Sequence, residues 1–97
     1  MTIGQLAEKT NGKIYVLLSD NETGRRFMED VGKEGFTFGD GASPASRSFE
    51  EIMAVNRDHT VNYVGTNGRI AYSAGAQTVG GLPLTRLDYR LFLEENK

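Results

Sequence analysis

Four arginines fall at turns and loop ends in this chain: Arg47, Arg57, Arg69 and Arg86. A guanidinium in such a place can grip a carboxylate or a phosphate bidentately, because its planar fork matches two oxygens. Tyr63 and Tyr72 add ring faces of the kind on which nucleobases stack. Ser43, Ser46, Thr66, Asn67, Gln77 and Thr78 supply neutral donors and acceptors. The chemistry on offer is therefore recognition of a small anion that carries a base. Its candidate contacts are Ser43, Ser46, Arg47, Tyr63, Asn67, Arg69, Tyr72, Thr78 and Arg86. The competing reading is plain: surface arginines around core tyrosines.

No catalytic set assembles from the remaining residues. Gly39-Asp40-Gly41 lacks the third glycine of a dinucleotide fingerprint, and no Gly-Lys-Ser/Thr occurs anywhere in the chain. An acid inside that loop would repel phosphate, so the glycines read as a tight turn with Asp40 bonded to nearby amides. His59 is the single histidine and sits beside Asp58. It titrates near neutrality when unperturbed, but no serine or threonine has the context of a nucleophile, and it reads as a solvated turn residue. Glu50-Glu51 and Glu29-Asp30 are sequence neighbours whose side chains point apart. With Cys 0 and one histidine, no cysteine-type zinc site can form and no metal or cofactor is expected.

Composition narrows the class further. At 97 residues the chain reads as one domain spanning 1–97. A chain of that size buries roughly 65% of its unfolded surface, a thin margin that oligomerisation would supplement. The formal net charge of −2 argues against direct DNA binding, which draws on basic contacts to phosphates. The first residues carry neither a basic start nor an apolar run, and no stretch approaches membrane-spanning length. The expected compartment is the cytoplasm, without membrane contact.

The elements that must position the candidates follow from periodicity. Ile3, Leu6 and Ala7 share a helical face that Thr10-Asn11-Gly12 ends. Lys13 to Leu18 is almost wholly apolar and reads as a central strand buried on both faces. Ser19-Asp20-Asn21-Glu22 reads as a capping box for a helix with Phe27, Met28 and Val31 inward and Arg25, Arg26, Glu29, Asp30 and Lys33 outward. Gly32 or Gly35 gives its left-handed exit, and Phe36–Phe38 completes a βαβ-like unit. Residues 39–48 form a loop. Residues 49–56 fit either a helical turn or a strand, and a short turn leading into a strand is preferred.

Arg57-Asp58-His59 makes a tight turn. Thr60–Val64 and Arg69–Tyr72 then alternate on either side of Asn67-Gly68, the dipeptide of a primed hairpin turn, so Val61, Tyr63, Ile70 and Tyr72 should share a face. Residues 73–83 read as a second loop, Leu84–Leu93 as a closing strand and 94–97 as a frayed tail. The fold class expected is α+β: one main helix on a face of a mostly antiparallel sheet of about five strands.

Three runs carry a family likeness: Gly35 to Gly41, Ala54 to Gly65, and Gly68-Arg69-Ile70-Ala71-Tyr72 with Leu87-Asp88-Tyr89. In them the chain resembles a group of small accessory proteins encoded by phages and prophages of gut Firmicutes, over most of its length from about Lys13 to Tyr89. The resemblance carries no catalytic motif and hence no functional residues. It implies a setting: counter-defence inside an infected bacterial cell. Some proteins of that kind sequester cyclic-nucleotide or cyclic-ADP-ribose signals of the CBASS and Thoeris systems, commonly as homo-oligomers. Others are anti-CRISPR proteins that block a host effector. The expectation is thus a non-enzymatic sponge for a small nucleotide-type ligand. The alternative is an inhibitor of a host defence protein acting through the acidic helix face of Glu29, Asp30 and Glu34.

Overall fold

The computed structural model describes residues 1–96. Its centre is strand β1 (Lys13–Leu17), whose run of buried side chains reflects cover on both faces. Helix α1 (Ile3–Lys9) precedes it and helix α2 (Asn21–Lys33) follows, leading to the two-residue strand β2 (Thr37–Phe38). Strands β3 (Ile52–Val55) and β4 (Thr60–Tyr63) come next, then helix α3 (Gly65–Ser73). Strands β5 (Thr78–Val79) and β6 (Leu82–Asp88) and helix α4 (Tyr89–Glu95) complete the chain. The sheet has the order β2-β4-β3-β1-β6-β5.

The α+β class stands, but the sheet is mixed and has six strands. β1 runs parallel to β6 and β2 parallel to β4, while β1–β3, β3–β4 and β5–β6 are antiparallel. The expected βαβ-like unit is split, because β3 and β4 lie between β1 and β2. One face carries α1, α2 and α4 over Ile14, Val16, Leu18, Met53, Val55 and Val61. The other is smaller: Tyr15, Ile52 and Ala54 lie there under Val64, Ala71 and Tyr72.

The hairpin expected around Asn67-Gly68 is overturned, since residues 65–73 are helical. Two periodicities compete in this stretch. Val64, Gly68, Ala71 and Tyr72 stand at i, i+4, i+7 and i+8, a helical stripe. Burying that stripe on Tyr15 and Ala54 outweighs the local turn preference of Asn-Gly. Gly68 is there because a Cβ would lie 2.3 Å from that of Val64. As a result Val61 is buried while Ile70 is 60% exposed, so the four residues do not share a face. The primed turn lies instead at Gly80-Gly81, both at positive φ, between the paired Val79 and Leu82. The expected loop 73–83 therefore contains a hairpin.

Three boundaries also shift. Asp20, not Ser19, caps α2, its carboxylate accepting from the Thr23 amide at 2.8 Å. The closing strand ends at Asp88, which caps α4, because Tyr89, Phe92 and Leu93 bury at helical spacing. Glu94 and Glu95 belong to that helix, and Asn96 closes it on the Phe92 carbonyl with its backbone N–H at 3.1 Å and its side-chain Nδ2 at 2.8 Å. Lys97 of the expected frayed tail lies outside the described residues. The expected α1, central β1 and inward face of α2 match, and of the turn-then-strand over 49–56 the strand is found at Ile52–Val55, while the helical turn falls earlier, at Pro44–Ser46. Gly35 ends α2 at φ +88, with Phe36 N–H bonded to the Val31 carbonyl at 2.9 Å and Gly35 N–H to Gly32 at 3.1 Å.

The seat of α2 depends on one close approach. A Cβ on Gly24 would lie 2.3 Å from the Phe49 ring, so the ring rests directly on the helix backbone. At Gly32 the nearest atom would be Pro44 Cδ at 3.8 Å, an ordinary contact. The Gly24→Ala variant should thus lose about 1–3 kcal/mol in urea unfolding, through displacement of the ring. Gly32→Ala should be neutral or gain up to about 1 kcal/mol from helix propensity. Equal effects from the two substitutions would contradict this account of the α2 seat.

Candidate functional site

The structure gathers some of the nine candidate residues and separates others. Ser43, Ser46, Arg47 and Tyr63 come together on the α2 side of the sheet. The loop that carries them turns once through a 3-10 helix at Pro44–Ser46, with Pro44 buried against the core. Arg47 donates from Nη2 to Asp40 Oδ2 at 2.5 Å, and its guanidinium lies 4.7 Å above the Phe38 ring centroid. Tyr63 packs on Phe38 at 5.4 Å and donates its hydroxyl to the Ser48 carbonyl at 2.6 Å. The Ser46 hydroxyl donates to the Ser43 carbonyl at 2.6 Å, so these two serines spend part of their bonding capacity on the turn itself.

Tyr72 and Arg86 lie on the opposite face of the sheet, where Arg86 is in register with Tyr15 on β1. Arg86 Nη1 donates to the Tyr72 carbonyl at 3.3 Å, and the guanidinium stands 5.8 Å from the Tyr72 ring. Burial raises the Tyr72 phenol, Asp88 adds to this, and Arg86 opposes it. Thr78 is exposed on the short edge strand β5. Asn67 and Arg69 project from α3, where Arg69 reaches the Thr66 hydroxyl at 3.4 Å. Within one protomer the nine residues do not form a single cluster.

Of the group on the α2 side, Ser46 and Arg47 line a groove of about 580 Å³. Asn21, Arg25, Met28 and Glu29 of α2 form one wall, and Ala45 to Phe49 form the other. Arg25 was read from sequence as a solvated helix position, yet it faces Arg47 and Ser46 across this groove. A signal for it exists: Asn21, Arg25 and Met28 stand at i, i+4 and i+7, one stripe beside the core face. Arg25 makes no ion pair among the described residues. Arg25 and Arg47 share the lining with Glu29, and the Asp40 carboxylate is bonded to Arg47 from outside it, so the charges in and beside the groove balance and any pull on an anion comes from directed donors. A second groove of about 730 Å³ lies between α2 and α4, where Arg25, Arg26 and Arg90 meet Asp20, Glu22 and Glu29. Its charges balance as well.

The electrostatics hold the first groove in shape. The Arg47 hydrogen bond, followed by the Ala42 amide at 3.1 Å, keeps the Asp40 carboxyl below the usual carboxylate range. Asp40 in return raises Arg47. Only one edge of the Arg47 fork is used, which leaves donors free for a second anion. On the far side of α2, Asp30 receives Arg26 Nε at 3.0 Å and the Tyr89 hydroxyl at 2.5 Å. Glu34 Oε1 accepts from the Gly4 amide at 2.7 Å. The acidic face of Glu29, Asp30 and Glu34 is thus largely engaged within the fold.

His59 stacks on Phe36 at 4.8 Å with the rings 3° apart, and takes a positive φ of 64°. Asp58 accepts from the Thr60 amide and hydroxyl rather than from the imidazole. Among the described residues no three His, Cys, Asp or Glu side chains gather as a metal would need, and no helix is long and apolar enough to cross a membrane. Comparison with protein-family models, with curated proteins and with solved structures gives no match to this chain.

The Tyr89 contact makes a pH prediction. Burial raises this phenol far above its ordinary value, and the hydrogen bond to Asp30 adds to the shift. A group held more tightly protonated when folded stabilises fully below its unfolded pKa and loses that effect as pH rises beyond it. Stability should therefore fall above about pH 10. Tyr89→Phe should flatten that fall while costing about 1 kcal/mol near neutrality. Denaturant midpoints measured across the alkaline range check both outcomes.

Proposed function

We propose that this chain is a non-enzymatic binding protein that takes a small nucleotide-type ligand into the groove between α2 and the 43–49 loop. A phosphate sits between Arg25 and the free edge of Arg47. Asn21, Ser46 and Ser48 meet polar edges, and the base lies against Met28 and Phe49. The observation that carries this reading is that two arginines, Arg25 and Arg47, line one mostly polar groove that also includes Met28 and Phe49. The volume is in the range of small-molecule sites. The absence of a nucleophile–base pair at its rim favours sequestration over turnover.

The resemblance supplies the biological setting: a phage protein that sequesters a nucleotide immune signal of the CBASS or Thoeris kind, as a homo-oligomer in the host cytoplasm. Inhibition of a host effector through the acidic helix face has less support, because Asp30 and Glu34 are bonded internally.

Isothermal titration against cyclic oligonucleotides, cyclic-ADP-ribose isomers and linear mononucleotides tests the proposal. Arg25→Gln and Arg47→Gln should each weaken binding roughly tenfold, the effect of one lost charge-assisted hydrogen bond. Arg86→Gln should leave it unchanged. Affinity should also fall as salt rises. Absence of heat with every ligand, or an equal loss in Arg86→Gln, rejects this site.

A further inference from the structure

We propose that Asn11 is a spontaneous deamidation site, where the fold leaves an Asn-Gly bond open to attack by its own backbone. The chain holds two such dipeptides, Asn11-Gly12 and Asn67-Gly68, and the structure treats them oppositely. Asn67 and Gly68 lie inside α3, where the Gly68 amide belongs to the helical hydrogen-bond ladder and Gly68 is buried. Asn11 is exposed in the bend between α1 and β1. Thr10 has already closed α1 on the Leu6 carbonyl, and the Gly12 amide makes no hydrogen bond to backbone or side chain among the described residues.

The reaction needs nothing beyond the chain and water. The Gly12 amide nitrogen attacks the side-chain carbonyl carbon of Asn11, forming a five-membered imide. The bond from that carbon to the side-chain nitrogen breaks, and ammonia leaves with the proton from the Gly12 amide. Water then opens the ring at either carbonyl, giving aspartate or isoaspartate. Glycine is the residue that hinders such an attack least, because it has no Cβ. Gly12 is also required here by packing: a Cβ would lie 1.9 Å from the Pro83 carbonyl oxygen.

The consequences fall at one junction. Either product adds a negative charge to a chain of formal net charge −2. Isoaspartate also inserts a methylene into the backbone beside Gly12, just before Lys13 pairs with Leu84 at the start of the β1–β6 ladder.

Peptide mapping by mass spectrometry tests the inference on the full chain, incubated at mildly alkaline pH folded and in denaturant. Samples are compared once the denatured chain has converted. In the folded protein Asn11 should yield paired aspartate and isoaspartate peptides. Conversion at Asn67 should lag by about tenfold or more, because it waits for opening of α3. Asn11→Gln should remove the acidic species seen on isoelectric focusing. An intact Asn11 in the folded chain, equal conversion at Asn67, or acidic species persisting in Asn11→Gln overturns the proposal.

Discussion

The ring of Phe49 lying on the bare backbone of Gly24 is the contact on which the rest of the candidate site depends. It sets how closely the 43–49 loop approaches α2, and so the width of the groove between them. Other bonds hold the same loop from its far side. Arg47 is tied to Asp40, Tyr63 to the Ser48 carbonyl, and Pro44 is buried beneath. A segment with no periodic apolar pattern thereby becomes a fixed wall. Binding groups on such a wall need little ordering when a ligand arrives, which lowers the entropic cost of association.

Helix α2 serves both the core and the groove. Phe27 and Val31 are fully buried, each worth roughly 1.5–3 kcal/mol relative to exposure. The adjacent stripe of Asn21, Arg25 and Met28 faces the groove. The rotation of the helix therefore decides whether Arg25 reaches the groove. The Tyr89 hydroxyl on Asp30 ties α2 to α4 and opposes that rotation, and Arg26 holds the Asp30 carboxylate from within α2.

What the sequence reveals is mostly what one dominant period controls. β1 reads as buried on both faces because nothing polar interrupts its centre, and α2 because its apolar positions recur at helical spacing. α3 is obscured by two overlapping periods. Its Asn-Gly pair is a strong local signal, whereas the stripe from Val64 to Tyr72 matters only once Tyr15 and Ala54 offer a surface. α4 is obscured in the same way, since Leu87, Tyr89 and Leu91 alternate while Tyr89, Phe92 and Leu93 bury. The site is legible only in part. Ser46 and Arg47 were named, but spacing along a chain cannot tell which face of a sheet a residue takes. Arg86 therefore lies on the opposite face from Ser46 and Arg47, and Arg25 is hidden among charges that read as a solvated face.

The account's central claim is that ligand chemistry belongs to the α2–loop groove and not to the Tyr72–Arg86 face. The most direct measurement is an amide chemical-shift titration of the isotopically labelled chain with cyclic AMP as probe. The account predicts saturable shifts at Asn21, Arg25 and Ser46 to Phe49, with Tyr72, Gln77 and Arg86 unmoved. Shifts centred on Tyr72 and Arg86, or none at saturating probe, would contradict it.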